Sequence, residues 1–294
     1  MKYNTIIIGG GLAGLTAGAT LSKFGKKVLL LEQHYKPGGC ATTFKRGDFI
    51  IEVGLHEMSG LAEGGNIRRK KAIKKFMKLI AGIRKEAHSL PRNPLVSKLI
   101  YPLMPLLYPN LVTATRHTVG SWLDKHIRNE GLKLDLTAHI AYWGDDPYTL
   151  SMFYFGLPFS GFIESGGHFI KGGSQKLSDY LAAYIEKHGG TVLLGKKVEK
   201  IITEKGKASG VTFREVYNKN EEPITITCDN VVANAPMPTV PALLDEPYAR
   251  ALKEKIGSNP DSVSLLCMYF GFKEKLDRFG VKYYSNYIQG DDIK

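Results

Sequence analysis

An apolar run rich in isoleucine, Tyr3 to Ile8, passes without a break into Gly9-Gly10-Gly11-Leu12-Ala13-Gly14. No other stretch restricts the fold as strongly. The run suits a strand buried on both faces, and the glycines satisfy G-x-G-x-x-G. The spacing predicts a helix from about Leu12 to Phe24, stopped by Gly25, and a second buried strand over Val28 to Leu31 that ends at Glu32. Each part has a physical role. Gly9 permits the tight strand-to-helix turn, Gly11 lets backbone approach a pyrophosphate, and Gly14 lets the helix pack closely on the sheet. The helix amino terminus then faces the phosphates with unpaired N–H groups and a favourable dipole. Glu32 lies 18 residues beyond Gly14, where a carboxylate can accept hydrogen bonds from ribose hydroxyls.

A lone glycine motif is weak evidence, but strand, glycines, helix, strand and terminal acid occur here in order. Glu32 would repel a 2′-phosphate, so FAD or NAD is favoured over NADP. A second glycine pair, in Pro37-Gly38-Gly39-Cys40-Ala41-Thr42, separates those two. It brings more backbone to a cofactor where a simple NAD dehydrogenase would continue as ordinary helix, and it favours FAD. By itself this pair is also compatible with a plain type II turn.

Composition narrows the class. At 294 residues, 43% hydrophobic and 23% charged, the chain suits one large globular domain or two modest ones. Three separated cysteines (Cys40, Cys228, Cys267) argue against a disulfide scaffold or a structural zinc site. No metal site or Ser-His-Asp arrangement is visible. The start carries no signal-peptide pattern, so the expected location is cytoplasmic, at the periphery of a membrane.

The net charge of +12 is local. Residues 67–98 hold eleven Lys/Arg against one acid, Glu86, while the rest of the chain is close to neutral. Within this segment Ile73, Phe76, Met77, Ile80 and Ile83 recur at helical spacing, opposite an almost wholly cationic face. That pattern suits a helix lying on an anionic membrane surface; the bland alternative is a solvated lid. Nucleic acid is disfavoured, because no stacking aromatics interleave with the basic residues. Leu95 to Val112 is apolar but carries Lys98 and Pro102, Pro105 and Pro109. Such a run cannot span a membrane as one helix, though it can dip into the interface. Nine aromatics fall between Tyr142 and Phe169, as the lining of an apolar substrate channel or as ordinary core.

Several blocks in combination resemble the retinol saturase branch of the phytoene desaturase-like flavoproteins. They are Leu31-Glu32-Gln33-His34, Pro37 to Cys40, Thr43-Phe44, Gly54-Leu55-His56-Glu57 and Lys171-Gly172-Gly173-Ser174-Gln175-Lys176-Leu177-Ser178. The resemblance runs from residue 1 to about 245. It implies an α/β fold: a Rossmann-like FAD domain, with parallel sheet, helices and antiparallel meander, interleaved with a substrate domain. Residues 1–60 and 170–240 would form the FAD domain; residues 61–169 and 241–294 would form the substrate or lid side. It also implies FAD as cofactor. Gly9, Gly11, Leu12, Ala13 and Gly14 would line the pyrophosphate, and Glu32, with Gln33 beside it, would meet the adenosine ribose. Gly39 and Cys40 would approach the flavin side. The backbone of Val198 would meet adenine, and Asn234 would sit at the strand end that returns to the cofactor.

The implied activity is saturation or desaturation of a carbon–carbon bond in an apolar, isoprenoid-like small molecule. His56 and Glu57 are the candidate acid or base near the flavin, and a helix start with a surface histidine is the competing reading. Family members continue past residue 294 and return to the flavin with a carboxy-terminal glycine-rich motif, which this sequence lacks. The expectation is an amino-terminal portion of a longer enzyme, with a partner chain as one source of the rest. An amine or porphyrinogen oxidase, and a non-catalytic FAD- or ADP-binding fragment, remain open. Ser262 to Gly271 and Gly280 to Tyr287 read as strands.

Overall fold

A computed structural model describes residues 2–54, 71–144, 146–218, 221–257 and 267–280. The chain divides into two compact units: Met1–Met58 with Phe169–Pro260, and Ser59–His168 with Asp261–Lys294. Along the chain, the first unit opens with β1 (Tyr3–Ile8), α1 (Leu12–Lys23), β2 (Val28–Leu31), β3 (Thr43–Arg46) and β4 (Phe49–Glu52). The second unit follows with α2 (Lys71–Ser89), α3 (Pro94–Ile100), α4 (Met104–Leu107), α5 (Pro109–Thr115), α6 (Val119–His126), α7 (Glu130–Thr137) and α8 (Met152–Ser165). The first unit resumes with α9 (Ser174–Lys187), β5 (Thr191–Leu193), β6 (Lys196–Glu204), β7 (Lys207–Glu215), β8 (Ile224–Ala233) and α10 (Tyr248–Ile256).

In the first unit six strands pair in the order β5-β2-β1-β8-β7-β6, parallel from β5 to β8 and antiparallel from β8 to β6. Ile7 stands opposite Leu30, and Ile6 opposite Val231. Because side chains alternate across a strand, Ile7, Val28 and Leu30 pack with Leu15 and Ala19 of α1 and Ile185 of α9. Ile6, Ile8, Leu29 and Leu31 point the other way, onto Val198, Ile201, Val211 and Phe213 of the meander. Burial on both faces explains the uninterrupted apolar runs. α1 ends at Lys23, and Gly25 follows at φ +72°, the left-handed step that halts a helix. β5 and β6 are separated by a turn around Gly195 at φ +69°. Residues 224–233 form one continuous strand, β8.

The boundary at 240 needs correction. The 3₁₀ segment Met237–Leu243 and α10 belong to the first unit, not to the substrate side. Leu243 and Leu244 pack against the meander core, and Lys200 on β6 pairs with Asp245 at 2.8 Å. Residues 267–271 form no strand, and the remainder of the two expected carboxy-terminal strands, 262–266 and 281–287, lies outside the described residues.

The second unit is helical. Phe76, Leu79, Ile80 and Ile83 of α2 pack with Leu111 and Ala114 of α5, Trp122 and Leu123 of α6, and Met152, Phe155 and Phe159 of α8. A Cβ on Gly156 of α8 would stand 2.6 Å from Ile83 Cδ1, so glycine permits the close approach of α2 and α8. The apolar face of α2, expected on a membrane, is therefore the core of this unit. Most of the aromatic segment goes the same way: Phe155 and Phe159 are buried, and Trp143, Phe153 and Phe162 pack against them. Tyr142, Tyr148, Tyr154 and Phe169 are exposed.

Candidate FAD-binding site

The site is built where β1, β2 and β8 end together. Gly9 adopts φ +101°, the left-handed backbone of the turn out of β1. A Cβ there would lie 2.6 Å from the Asn234 carbonyl oxygen, and one on Gly14 would lie 2.2 Å from the Gly9 oxygen and 2.8 Å from Asn234 Nδ2. Asn234 reciprocates, its N–H donating to Ile8 O at 2.8 Å and its Nδ2 to Gly9 O at 3.2 Å. The end of β8 thus fixes the glycine turn. Gly11 is the N-cap of α1, with no side chain capping the helix and no acid in its first turn. The first N–H groups keep their partial positive charge for an anion, which is what a pyrophosphate requires. Leu12 is half-buried and Ala13 exposed on that first turn.

The second glycine pair lies directly on the first. Gly38 and Gly39 have φ +127° and +59°. Gly38 N–H donates to Gly10 O at 2.7 Å, and a Cβ on Gly39 would be 3.2 Å from Gly11 Cα. Backbone meets backbone, and the junction borders a cavity of about 200 Å³ lined by Gly11, Leu12, Gly38, Cys40, Ala41 and Gly54. No lining side chain is charged, and Cys40 is exposed.

Glu32, only 9% exposed, accepts the Gly10 N–H on Oε2 at 2.6 Å and the His34 N–H on Oε1 at 2.8 Å. Each carboxylate oxygen retains a lone pair for a ribose hydroxyl. Its neighbour Gln33 is exposed. The backbone around Glu32 is tied to the β5–β6 turn. Lys196 N–H donates to Glu32 O at 2.9 Å, and Gly195 N–H donates to His34 O at 3.0 Å. Val198 lies two residues further on, its side chain in the meander core. Beside that turn Lys196 pairs with Glu215, and the ammonium holds the Glu215 carboxyl below the usual carboxylate range. His56 and Glu57 lie outside the described residues.

Sequence reasoning missed the residues that hold the second glycine loop in place. Gln175, at the start of α9, donates through Nε2 to Pro37 O at 3.0 Å and accepts the Thr43 N–H at 3.4 Å. Ser178 donates to Ala41 O at 2.8 Å. Glu52, at the end of β4, accepts the Ser174 N–H at 2.8 Å and its hydroxyl at 2.5 Å, closing the amino terminus of α9. The Lys171–Ser178 block is therefore a clamp on the loop that carries Cys40. Its partners stand 122 to 138 residues away in sequence, so no local periodicity reports them.

The residues present fit FAD. An uncapped helix start suits a pyrophosphate, a nearly buried carboxylate suits a ribose, and an uncharged cavity beside a glycine pair suits the flavin side. Comparison with known proteins agrees. A family model described as flavin containing amine oxidoreductase matches residues 112–289, and one described as an NAD(P)-binding Rossmann-like domain matches residues 7–71. All-trans-retinol 13,14-reductase of Rattus norvegicus is 26% identical across 96% of this chain and 56% of its own length. Prolycopene isomerase 2 of an Oncidium hybrid cultivar is 39% identical over 66 residues, 22% of this chain and 11% of its own. The chain spans about half the length of the retinol reductase it matches. Among solved structures, an oxidoreductase from Methanosarcina mazei aligns with a TM-score of 0.59 at 20% identity, covering 88% of this chain and 65% of its own. These findings bear out the resemblance to the retinol saturase branch, the Rossmann-like fold and FAD as the cofactor.

Proposed function

Because the chain belongs to the family of flavin-containing amine oxidoreductases, we propose that it is an FAD-dependent oxidoreductase acting on a carbon–carbon bond of an apolar, isoprenoid-like substrate. The observation that carries this reading is the uncharged cavity at the junction of the two glycine loops. Bound FAD supplies the two-electron donor or acceptor for hydrogen added or removed across that bond. The chain's own residues do the rest. The amino terminus of α1 neutralises pyrophosphate charge, Glu32 orients the ribose, and Gln175, Ser178 and Glu52 fix the loop bordering the cavity. His56 and Glu57 are the proposed proton donor and acceptor at the substrate carbon. The names of the retinol reductase and prolycopene isomerase relatives support a polyene as substrate.

Supply of such a substrate calls for a lipid surface. The proposed partner is an anionic membrane met through residues 67–98, supported by the exposed Lys74, Lys75, Lys78 and Lys85. A second reading, oxidation of an amine, draws on the family description itself.

The test is a visible spectrum of the purified protein, then anaerobic incubation of the reduced flavoprotein with polyenes. A yellow protein that releases FAD, and whose reduced form is reoxidised as polyene absorbance shifts, supports the first reading. Hydrogen peroxide produced from amines, with polyenes inert, replaces it by the second. A colourless protein that takes up no FAD overturns both.

A further inference from the structure

The helix expected to touch the membrane has its apolar face in the core, yet the segment that follows buries nothing. Across α3, the 3₁₀ turn Tyr101–Leu103 and α4, no residue is buried. Leu95 and Leu99, one helical turn apart on a single face, are 71% and 77% exposed. Tyr101 is 77% and Leu106 79% exposed. Contiguous apolar exposure on this scale marks a contact surface.

The segment is also firmly seated. The Glu86 carboxylate of α2 accepts N–H donors from Asn110 and, at 2.8 Å, from Leu111, closing the amino terminus of α5. Tyr108 donates its hydroxyl to Ser89 O at 3.3 Å, and Ser97 donates to Pro91 O at 3.1 Å. The one acid of the basic segment is consumed in this anchorage. Between Glu86 and Asp124 the sequence has no acid at all. Exposed Lys98 stands within the apolar stretch and exposed Arg92 just before it, and Lys74, Lys75, Lys78 and Lys85 lie on the solvent side of α2.

Among the described residues no single helix is long and apolar enough to cross a membrane, and the pair Pro94–Leu107 and Pro109–Thr115 is bent by 90°. Prolines at 94, 102, 105 and 109 break the run into short turns, a shape suited to lying in an interface rather than spanning it. We propose that residues 94–107 insert their leucines into the interfacial layer of an anionic lipid bilayer, with the surrounding lysines on the headgroups. This rests on, and sharpens, the membrane reading given above. The α2 cations are the electrostatic element, and the leucines are the embedded one.

Vesicle sedimentation of the full chain separates the two levels. With phosphatidylcholine–phosphatidylserine vesicles the chain should pellet. The double variant Leu99→Asp/Leu106→Asp should bind at least about tenfold more weakly, with an unchanged circular dichroism spectrum. Tyr101→Trp should shift its emission to the blue on binding and be quenched by lipids brominated in the acyl chains. Wild-type and leucine-variant chains that pellet equally, are both released by salt and leave the new indole unquenched would overturn insertion while sparing the surface contact. No pelleting on any vesicle overturns both. A chain that self-associates in sedimentation velocity through these leucines, and ignores lipid, assigns the face to a second copy and overturns insertion as well.

Discussion

The two units of this chain both use a glycine to seat helix on helix, Gly18 against Ile185 and Gly156 against Ile83, but only the first also builds glycine loops beside a cavity. In those loops glycines stand where backbone approaches backbone: Gly9 against the Asn234 carbonyl, Gly14 against the Gly9 carbonyl, Gly39 against Gly11. In the second unit Gly156 only brings α8 onto Ile83 of α2. In the first unit Glu32 holds the first glycine turn, Gln175 and Ser178 hold the second, and Glu52 closes the helix that carries them. The second unit's described polar contacts seat helices, as Glu86 seats α5 and the reciprocal Thr118–Ser121 capping box seats α6. The difference teaches that the first unit, besides its own core, orders two glycine loops beside an open cavity, while the second packs helices on an apolar core and leaves an apolar segment exposed.

The largest effect tests that separation from the side of the core. Phe76 is completely buried, 5.8 Å from the Trp122 ring and 6.4 Å from that of Phe155. Phe76→Ala should cost the second unit about 3–5 kcal/mol in denaturant unfolding while FAD affinity, read by titration calorimetry, stays constant. A parallel loss of FAD binding would break the comparison. A smaller effect probes the ligand side. Glu32→Ala leaves the Gly10 and His34 N–H groups without their acceptor, a loss of about 1–3 kcal/mol. FAD should then bind roughly ten- to hundredfold more weakly, with Glu32→Gln recovering part of the difference. Unchanged affinity would remove Glu32 from the site.

The smallest effect is electrostatic. Glu215, its carboxyl held low by Lys196, contributes stability that is present above its unfolded-state value of about 4.3. That contribution is lost as pH falls through the lower folded-state value. The melting temperature should therefore drop more steeply between about pH 5 and pH 3 in the wild type than in Glu215→Gln. Identical slopes would mean that the pair adds nothing to the β5–β6 turn beside Glu32.

Much of the cofactor half was legible because its signals are local. A glycine required at φ +101°, or an acid closing a buried strand, is written in a few adjacent residues. The loop clamp was not, because Gln175 and Glu52 act on backbone groups that only the fold brings near. Periodicity likewise showed that α2 is amphipathic, but not which surface its apolar face meets.

By itself, then, the sequence determined the strand–glycine–helix–strand unit, the acid at its end and the concentration of positive charge, since each follows from neighbouring residues and the periods of helix and strand. Only the tertiary structure decided that Phe76, Ile80 and Ile83 face a core while Leu95, Leu99 and Leu106 face outward. Burial is a property of what packs against a residue: the first group meets α5, α6 and α8, and the prolines after Leu90 turn the second away from any comparable partner among the described residues.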